Sequence, residues 1–328
     1  MASPSGNPAA NRSDIRNFLI SRRAKLTPAQ VGLPAGGRRR VPGLRREEVA
    51  LLAGVSTEWY TRLEKGRVNG VSEDVLNAVA QALRLGKDER THLFDMARAA
   101  RSTRRPPQHS EKTELPAPVH WMLESMTISA VFVRDRHLDI VAANTLCRAL
   151  YAPLFDSPTT AERGHANLSR YLFLDPGSTH FFADWDAAAQ ISAALLRAEA
   201  GRRPHDRALR ELIGELSTLS PEFRTRWARH DVRLHHEGTK HLRHPEVGDL
   251  ELPYRSLNLP LPGRPDHEVV IYTAEPGTTT EDRLKLLSSW AATASSTAGH
   301  SPAKKDWVED RVRRRCSRPR RRGWGWVR

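Results

Sequence analysis

Cysteine is nearly absent: Cys147 and Cys316 are the two thiols in 328 residues. So few and so isolated, they exclude a disulfide framework and a cysteine-rich zinc site and fit a reducing compartment, so a cytoplasmic protein is expected. Long hydrophobic runs are missing too. No stretch approaches the roughly 20 apolar residues that cross a bilayer, and Met1 to Ala10 lacks the cationic start and apolar run of a secretory signal. There is no nucleophile elbow, phosphate-cradling glycine loop or paired-carboxylate motif, so neither an enzyme nor a cofactor is expected. His230, His235, His236, His241 and His244 cluster late in the chain. Adjacent strand residues point to opposite faces and the spacing fits no standard ligand pattern, so no metal is expected.

What is abundant is positive charge, +14 overall. Residues 1–115 hold 21 Lys/Arg against 12 Asp/Glu, residues 116–302 hold 20 against 23, and the last 26 hold 11 against 3. Basicity therefore sits at the two ends, which points to a polyanionic partner there and to a different task for the middle.

Helical periodicity opens at Asp14 to Lys25, with Ser13 as N-cap and residues 1–12 expected to be disordered. Leu26 to Gly43 is a loop carrying Arg38, Arg39 and Arg40. Helical pieces resume at Leu44 and run to about Ala100, broken at Gly54, at Gly66 to Val71 and at Gly86, which gives five short helices over 13–100. Residues 101–115, polar and containing Pro106-Pro107, form a linker. Beyond it the texture is mixed α and β over 116–295. Ser129 to Val133 and Asp139 to Ala143 read as a hairpin, and Asn144 caps a short helix. Ser178 to Ala200 and His205 to Leu216 are helical, and Ser220-Pro221-Glu222 opens another helix. Strands are expected at 233–236, 240–243, 250–252, 254–259 and 269–273, before a last helix at 281–293. The arginine-rich segment 296–328 has no periodic apolar face and is expected to be disordered.

The string Leu44-Arg-Arg-Glu-Glu-Val-Ala-Leu-Leu-Ala-Gly-Val-Ser-Thr-Glu-Trp-Tyr-Thr-Arg-Leu-Glu-Lys-Gly66 carries the sharpest signal. Val49, Ala50 and Ala53 share a face, small Ala50 admits a second helix closely, and Gly54 permits a sharp turn. Val55 plugs the interhelical angle and Ser56 caps the second helix. Tyr60 and Leu63 face inward, leaving Thr57, Glu58, Thr61 and Arg62 outward, and Gly66 ends the helix.

These residues resemble the λ-repressor-like (XRE) helix-turn-helix group. More narrowly, Val31-Gly-Leu-Pro-Ala-Gly-Gly-Arg-Arg-Arg-Val-Pro-Gly-Leu-Arg-Arg-Glu-Glu-Val-Ala is similar to the opening of actinobacterial MmyB-type regulators. The likeness extends to about residue 295 through the linker, the Asn144 segment and His244-Pro-Glu-Val-Gly-Asp-Leu. It implies two domains, an all-α head and an α+β PAS-like ligand-binding domain, in a cytoplasmic transcription regulator that joins the nucleoid when bound to DNA. It also implies double-stranded DNA as partner and a homodimer on paired half-sites. In such a motif the second helix enters the major groove, so Ser56, Thr57, Glu58, Thr61 and Arg62 form the DNA-facing set. Arg46 stands where this group commonly places a phosphate-touching Gln, Arg38 to Arg40 would reach phosphates or a minor groove, and Ser72 would offer a backbone N–H. Glu64, in this group, is more often part of an internal ion pair.

For the second domain, Phe132, Tyr171, Phe173, Phe182, Trp185 and Tyr254 are the candidates to line an apolar pocket, with His241 or Arg255 orienting a polar head. Family likeness suggests a small apolar, fatty-acid-like ligand. The rival reading is a DNA-binding or antitoxin-like protein whose second domain serves only protein–protein contacts.

Overall fold

The structure is a computed structural model that describes residues 8–34, 43–68, 70–101, 115–232, 236–261 and 264–298. Most of the expected linker (102–114) and of the basic tail (299–328) lies outside the described residues, as do 1–7.

The head consists of α1 (Pro8–Lys25), a 3-10 turn (Ala29–Val31), α2 (Arg46–Leu52), α3 (Thr57–Glu64), α4 (Glu73–Ala82) and α5 (Lys87–Arg101). α1 begins at Pro8, which places Ser13 inside the helix, not at its cap. Proline suits a first turn because its missing N–H would be unsatisfied there anyway, and the two alanines that follow are strong helix formers. Ile15, Phe18 and Leu19 of α1 meet Val49, Tyr60, Leu63, Leu76, Val79, Leu93 and Met96 in one buried core.

The second domain runs α6 (Ala117–Ser125), β1 (Ala130–Arg134), β2 (Ile140–Ala143), α7 (Thr145–Leu150), α8 (Ala152–Phe155), α9 (Pro158–Arg163) and α10 (Leu168–Leu174). It continues through α11 (Ser178–Phe181), α12 (Trp185–Arg202), α13 (Arg207–Leu219), α14 (Pro221–Ala228), β3 (Glu237–His244), β4 (Gly248–Leu261), β5 (Arg264–Tyr272) and α15 (Thr279–Ala298). The strands form one antiparallel sheet of order β2-β1-β5-β4-β3. Strand alternation gives the sheet two apolar faces. Ala130 and Phe132 join the main core with the helices, whereas Val131 and Val133 pack under Val119 and Leu123 of α6.

Asn144 holds the start of this domain together. Its Oδ1 accepts from the N–H groups of Cys147 (2.9 Å) and Val131 (3.0 Å), and its Nδ2 donates to the carbonyls of Met126 (2.9 Å) and Ser129 (2.8 Å). A buried amide satisfied on every side fixes α6, β1 and α7 at once.

Two expectations differ in detail. The helix expected over Ser178 to Ala200 is broken, because Phe182 bridges to Leu242 of β3 and Asp184 caps α12 by accepting from the Ala187 N–H (3.0 Å). The two strands expected on either side of Pro253 are one, β4. Pro253 accepts from the Thr273 N–H (3.0 Å), just past the end of β5, so its missing donor falls where that ladder has already stopped. Residues 233–235 of the expected first late strand lie outside the described residues, and His236 precedes β3.

The β1–β2 turn is tied to α13 by His137. Its Nδ1 lies 3.1 Å from Asp135 Oδ2 and its Nε2 3.1 Å from Asp206 Oδ2, while Asp206 also caps α13. Burial opposes the imidazolium, but the hydrogen bonds to Asp135 and Asp206 outweigh it and raise the ring to about 9. Asp135, His137 and Asp139 lie close enough to offer three metal-ligand atoms, but both ring nitrogens of His137 already face carboxylates. Because the folded pKa is raised, this stabilisation is full below about 6.5, the unfolded value, and is lost as pH rises through the folded one. Urea unfolding should therefore show a stability gap between wild type and His137→Ala that is wide at pH 6 and narrow at pH 10. An equal gap at both would mean that the ring contributes by packing alone.

Candidate nucleic-acid interface and ligand cavity

α2 and α3 meet across Gly54, whose φ of 65° lets the Gly54 N–H reach back to the Leu51 carbonyl and that of Val55 to Ala50. Ser56 then caps α3 by accepting from the Trp59 N–H (3.1 Å). With Tyr60 and Leu63 anchored in the core, Ser56, Thr57, Glu58 and Arg62 are exposed and Thr61 is half-buried. α3 ends in the same way, Gly66 N–H to Leu63 O (2.8 Å) and Arg67 N–H to Arg62 O (3.1 Å). Gly66 does more than end a helix, since a Cβ there would lie 2.6 Å from the Arg12 Cα of α1.

Glu64 lies on the inner side of α3, 1 % exposed, between the Nε atoms of Arg23 and Arg46, each at 2.8 Å. Arg23 also donates to the Leu44 carbonyl (2.7 Å). Burial alone would raise the Glu64 carboxyl, but hydrogen bonds from Arg23 and Arg46 outweigh it and hold the group below its usual range. The bond to Glu64 orients Arg46, whose side chain stays 47 % exposed. The hydroxyl of Ser72 caps α4 by accepting from the Val75 N–H (3.3 Å) and is itself exposed. Arg38, Arg39 and Arg40 lie outside the described residues. Sequence reasoning missed Arg23, which no spacing rule links to Glu64, 41 residues away.

The second domain encloses a cavity between sheet and helices. About 70 Å³ is open to the centres of water molecules, room for about five waters at roughly 10–15 Å³ each. Phe132, Arg134, Tyr254, Ser256, Val270 and Tyr272 form the sheet wall. Leu168 and Leu172 of α10, with Ala188, Ile191, Ser192 and Leu195 of α12, form the helical wall; Phe182 and Lys240 close the rim.

Its polar groups are few. The Tyr151 hydroxyl donates to that of Tyr272 (2.9 Å). Arg134 pairs with Glu268 at 2.5 Å, and the Ser256 hydroxyl donates to the same carboxylate (2.6 Å). Lys240 has neither a salt bridge nor a hydrogen bond among the described residues; its ammonium stands 5.8 Å from the centre of the Phe182 ring. Burial, and then the charge of Arg134, lower the Lys240 ammonium to about 8 against the opposing pull of the Asp184 carboxylate.

Of the pocket residues expected from sequence, Phe132, Phe182 and Tyr254 come together at this cavity. Tyr171 packs on Phe181 and Phe182, and Phe173 on Trp185 and Phe223, in the core beside it. The Trp185 indole donates to the Leu172 carbonyl (3.1 Å). His241 and Arg255 are exposed on the other face of the sheet, and Arg255 pairs there with Glu237 (3.0 Å). Alternation is the reason: with Leu242 and Tyr254 inward, Lys240 points in and its neighbour His241 out. The same period-2 reading, taken from Leu242, would have selected Lys240.

Glu64→Ala should reduce the stability of the head by about 3 kcal/mol, because Arg23 would be left buried without a counterion. The urea midpoint of the head's transition reads this directly. A loss within the range of an exposed ion pair would show that the carboxylate is not the pin of the α1–α2–α3 junction.

Residues 115–287, more than half of the chain, match the family model of the MmyB-like transcription regulator ligand binding domain. Residues 22–93 match a helix-turn-helix domain family. No curated protein matches the sequence significantly. A helix-turn-helix head joined to a ligand-binding domain of this type makes the chain a DNA-binding transcription regulator with a sensing domain, and it belongs to the MmyB-like family.

Proposed function

We propose that the protein is a sequence-specific regulator that reads base edges with the N-terminal half of α3 and senses an apolar, acyl-chain-like carboxylate in its PAS-like second domain. The observation that carries the DNA reading is the exposed row Thr57, Glu58 and Arg62, held rigid from behind by Tyr60 and Leu63. Arg46, oriented by Glu64, supplies a phosphate contact, as do the N-terminus of α4 behind Ser72 and the triplet Arg38 to Arg40. A homodimer places two such helices in successive major grooves.

For the ligand, a cavity walled by aromatic and aliphatic side chains suits an apolar body. Lys240 supplies a cation with no salt bridge among the described residues, which suits an anionic head. The antiparallel sheet with helices gathered between β2 and β3 supports the PAS-like reading.

Genome-wide occupancy mapping of Glu58→Ala and Arg62→Ala should show altered site preference; unchanged preference in both would remove α3 as the reading helix. Replacing Arg38, Arg39 and Arg40 by Ala should lower the salt slope of binding by about 0.9 per lost phosphate contact. Native mass spectrometry of the purified protein should retain an acyl carboxylate. Lys240→Met should weaken a fatty carboxylate and leave its methyl ester unaffected. Because the free ammonium loses its charge near pH 8, carboxylate affinity should be flat below that pH and fall above it, by at most about tenfold per pH unit. An equally tight ester would point to a purely apolar site, and no retained ligand to a domain that serves protein contacts.

A further inference from the structure

α12 belongs to the packing of both domains. Its first turns form the helical wall of the cavity through Ala188, Ile191, Ser192 and Leu195. Its last turns serve both cores, with Ala200 still packed against that of the second domain. Ala198 is buried in the hydrophobic core of the head, and Arg202 pairs with Asp95 of α5 at 3.2 Å. Gly201 lies directly against His92 of α5: a Cβ at Gly201 would stand 2.6 Å from the His92 Nδ1 and 3.1 Å from the Met96 Cγ.

The seat is reinforced from α1. Asp231, which follows α14, takes Lys25 of α1 at 2.5 Å and the Gln190 amide of α12 at 2.8 Å, and Arg22 of α1 at 3.5 Å. Arg22 also holds Glu89 of α5 at 2.5 Å. His92 is 4 % exposed and packs edge-on to the Phe18 ring of α1, at 5.2 Å between centroids.

The cavity holds about five waters and is half open to solvent, so an amphiphile that enters it fully has to displace a wall. The sheet wall is cross-linked by backbone ladders on both sides of β5. The helical wall is held at this level by side chains, through the Ser169–Ser192 hydroxyl bond (2.8 Å) and apolar packing. A helix moves as a rod, and Gly201 lies roughly 15 Å along the axis from Ile191. Close-packed interiors pass on such a shift and do not absorb it.

We infer that α12 transmits the state of the cavity to the DNA-binding head: occupancy pushes its first turns off the sheet and moves the Gly201 seat on which α5 rests. This builds on the reading of the cavity as a ligand site, and the test separates the two. One arm needs no ligand. In the full chain, Ala188→Phe and Ile191→Phe each fill the cavity against α12, and amide hydrogen exchange should then speed up at residues 92–97 by about tenfold. Folded variants with unchanged exchange there would overturn the proposal, and the milder Ile191→Phe keeps the test alive if Ala188→Phe does not fold.

The second arm uses a dansyl-labelled undecanoate as probe and a duplex selected from a random pool by the wild type. The probe should change wild-type DNA affinity by roughly 5- to 150-fold, and Gly201→Leu should bring that factor to about one while retaining both probe and DNA binding. Probe that fails to bind the wild type refutes the ligand reading and leaves the exchange arm to decide on α12. Probe that binds without changing DNA affinity, or with a change that survives Gly201→Leu, overturns the transmission and leaves the ligand reading standing.

Discussion

α12 can be packed from every side only because its buried side chains are small. Of its buried residues, Ala188, Ala189, Ser192, Ala193, Ala194, Ala198 and Gly201 are no larger than serine. The helix therefore lets α10, α13 and α14 approach on the ligand-domain side and α5 on the head side. An amphipathic helix with one apolar stripe would have served one core. The large exceptions are Leu196 and Arg197, and the Arg197 guanidinium lies 3.5 Å from the centre of the Trp227 ring and donates to the Trp227 carbonyl. Burial lowers its pKa to about 10, which still leaves it charged at neutral pH, and the carboxylate of Asp14 in α1 partly offsets that effect. Even the buried charged residue of this helix is thus settled by both domains.

The two sites treat buried charge in opposite ways. In the head, Glu64 is neutralised on both sides by arginines, and the result is a fixed scaffold behind α3. In the cavity, Arg134 is neutralised by Glu268, while Lys240 has no salt bridge among the described residues and feels the Asp184 carboxylate only at longer range. An ammonium kept in an apolar recess is expensive unless something anionic arrives. The contrast sets a neutralised structural ion pair beside an ammonium held without one. The domain contact lies between these extremes. Lys25 meets Asp231 at partly exposed positions, whereas Arg22 is buried against Glu89, so the contact joins an exposed ion pair to a buried one.

Much of the head was legible because local rules and tertiary packing agree there: the glycine turns, the Ser56 cap and the inward pair Tyr60 and Leu63 are all fixed within one supersecondary unit. The β1–β2 hairpin and the Asn144 cap were legible for the same reason. The cavity was only half legible. Aromatic content drew attention to Phe173 and Trp185, which pack on each other beside Phe223, while the groups that define the polar end are set by strand register across β3, β4 and β1. Register comes from pairing with residues far away in sequence. The break before α12 was hidden in the same way, since Phe182 leaves the helical path to bridge to Leu242, some sixty positions later. Gly201 gave no signal at all, because a glycine near a helix end reads as a terminator, and only the facing ring of His92 shows that its lack of a side chain serves a close approach.

His92 explains why that approach is stable and still responsive. Burial and the surrounding arginines, Arg197, Arg202 and Arg22, push its pKa down to about 3, so the ring is neutral throughout the physiological range and packs as a flat apolar plate between Phe18 and Gly201. A neutral plate against a bare backbone makes a contact that depends on distance and hardly at all on pH or salt. The ion pairs around it set orientation, and the plate senses displacement. Linkage then runs in both directions. If the cavity sets the pose of the head through this contact, a head held in one pose by an operator must alter the affinity of the cavity by the same factor, so the regulator on DNA and the regulator in solution hold the same ligand with different strength.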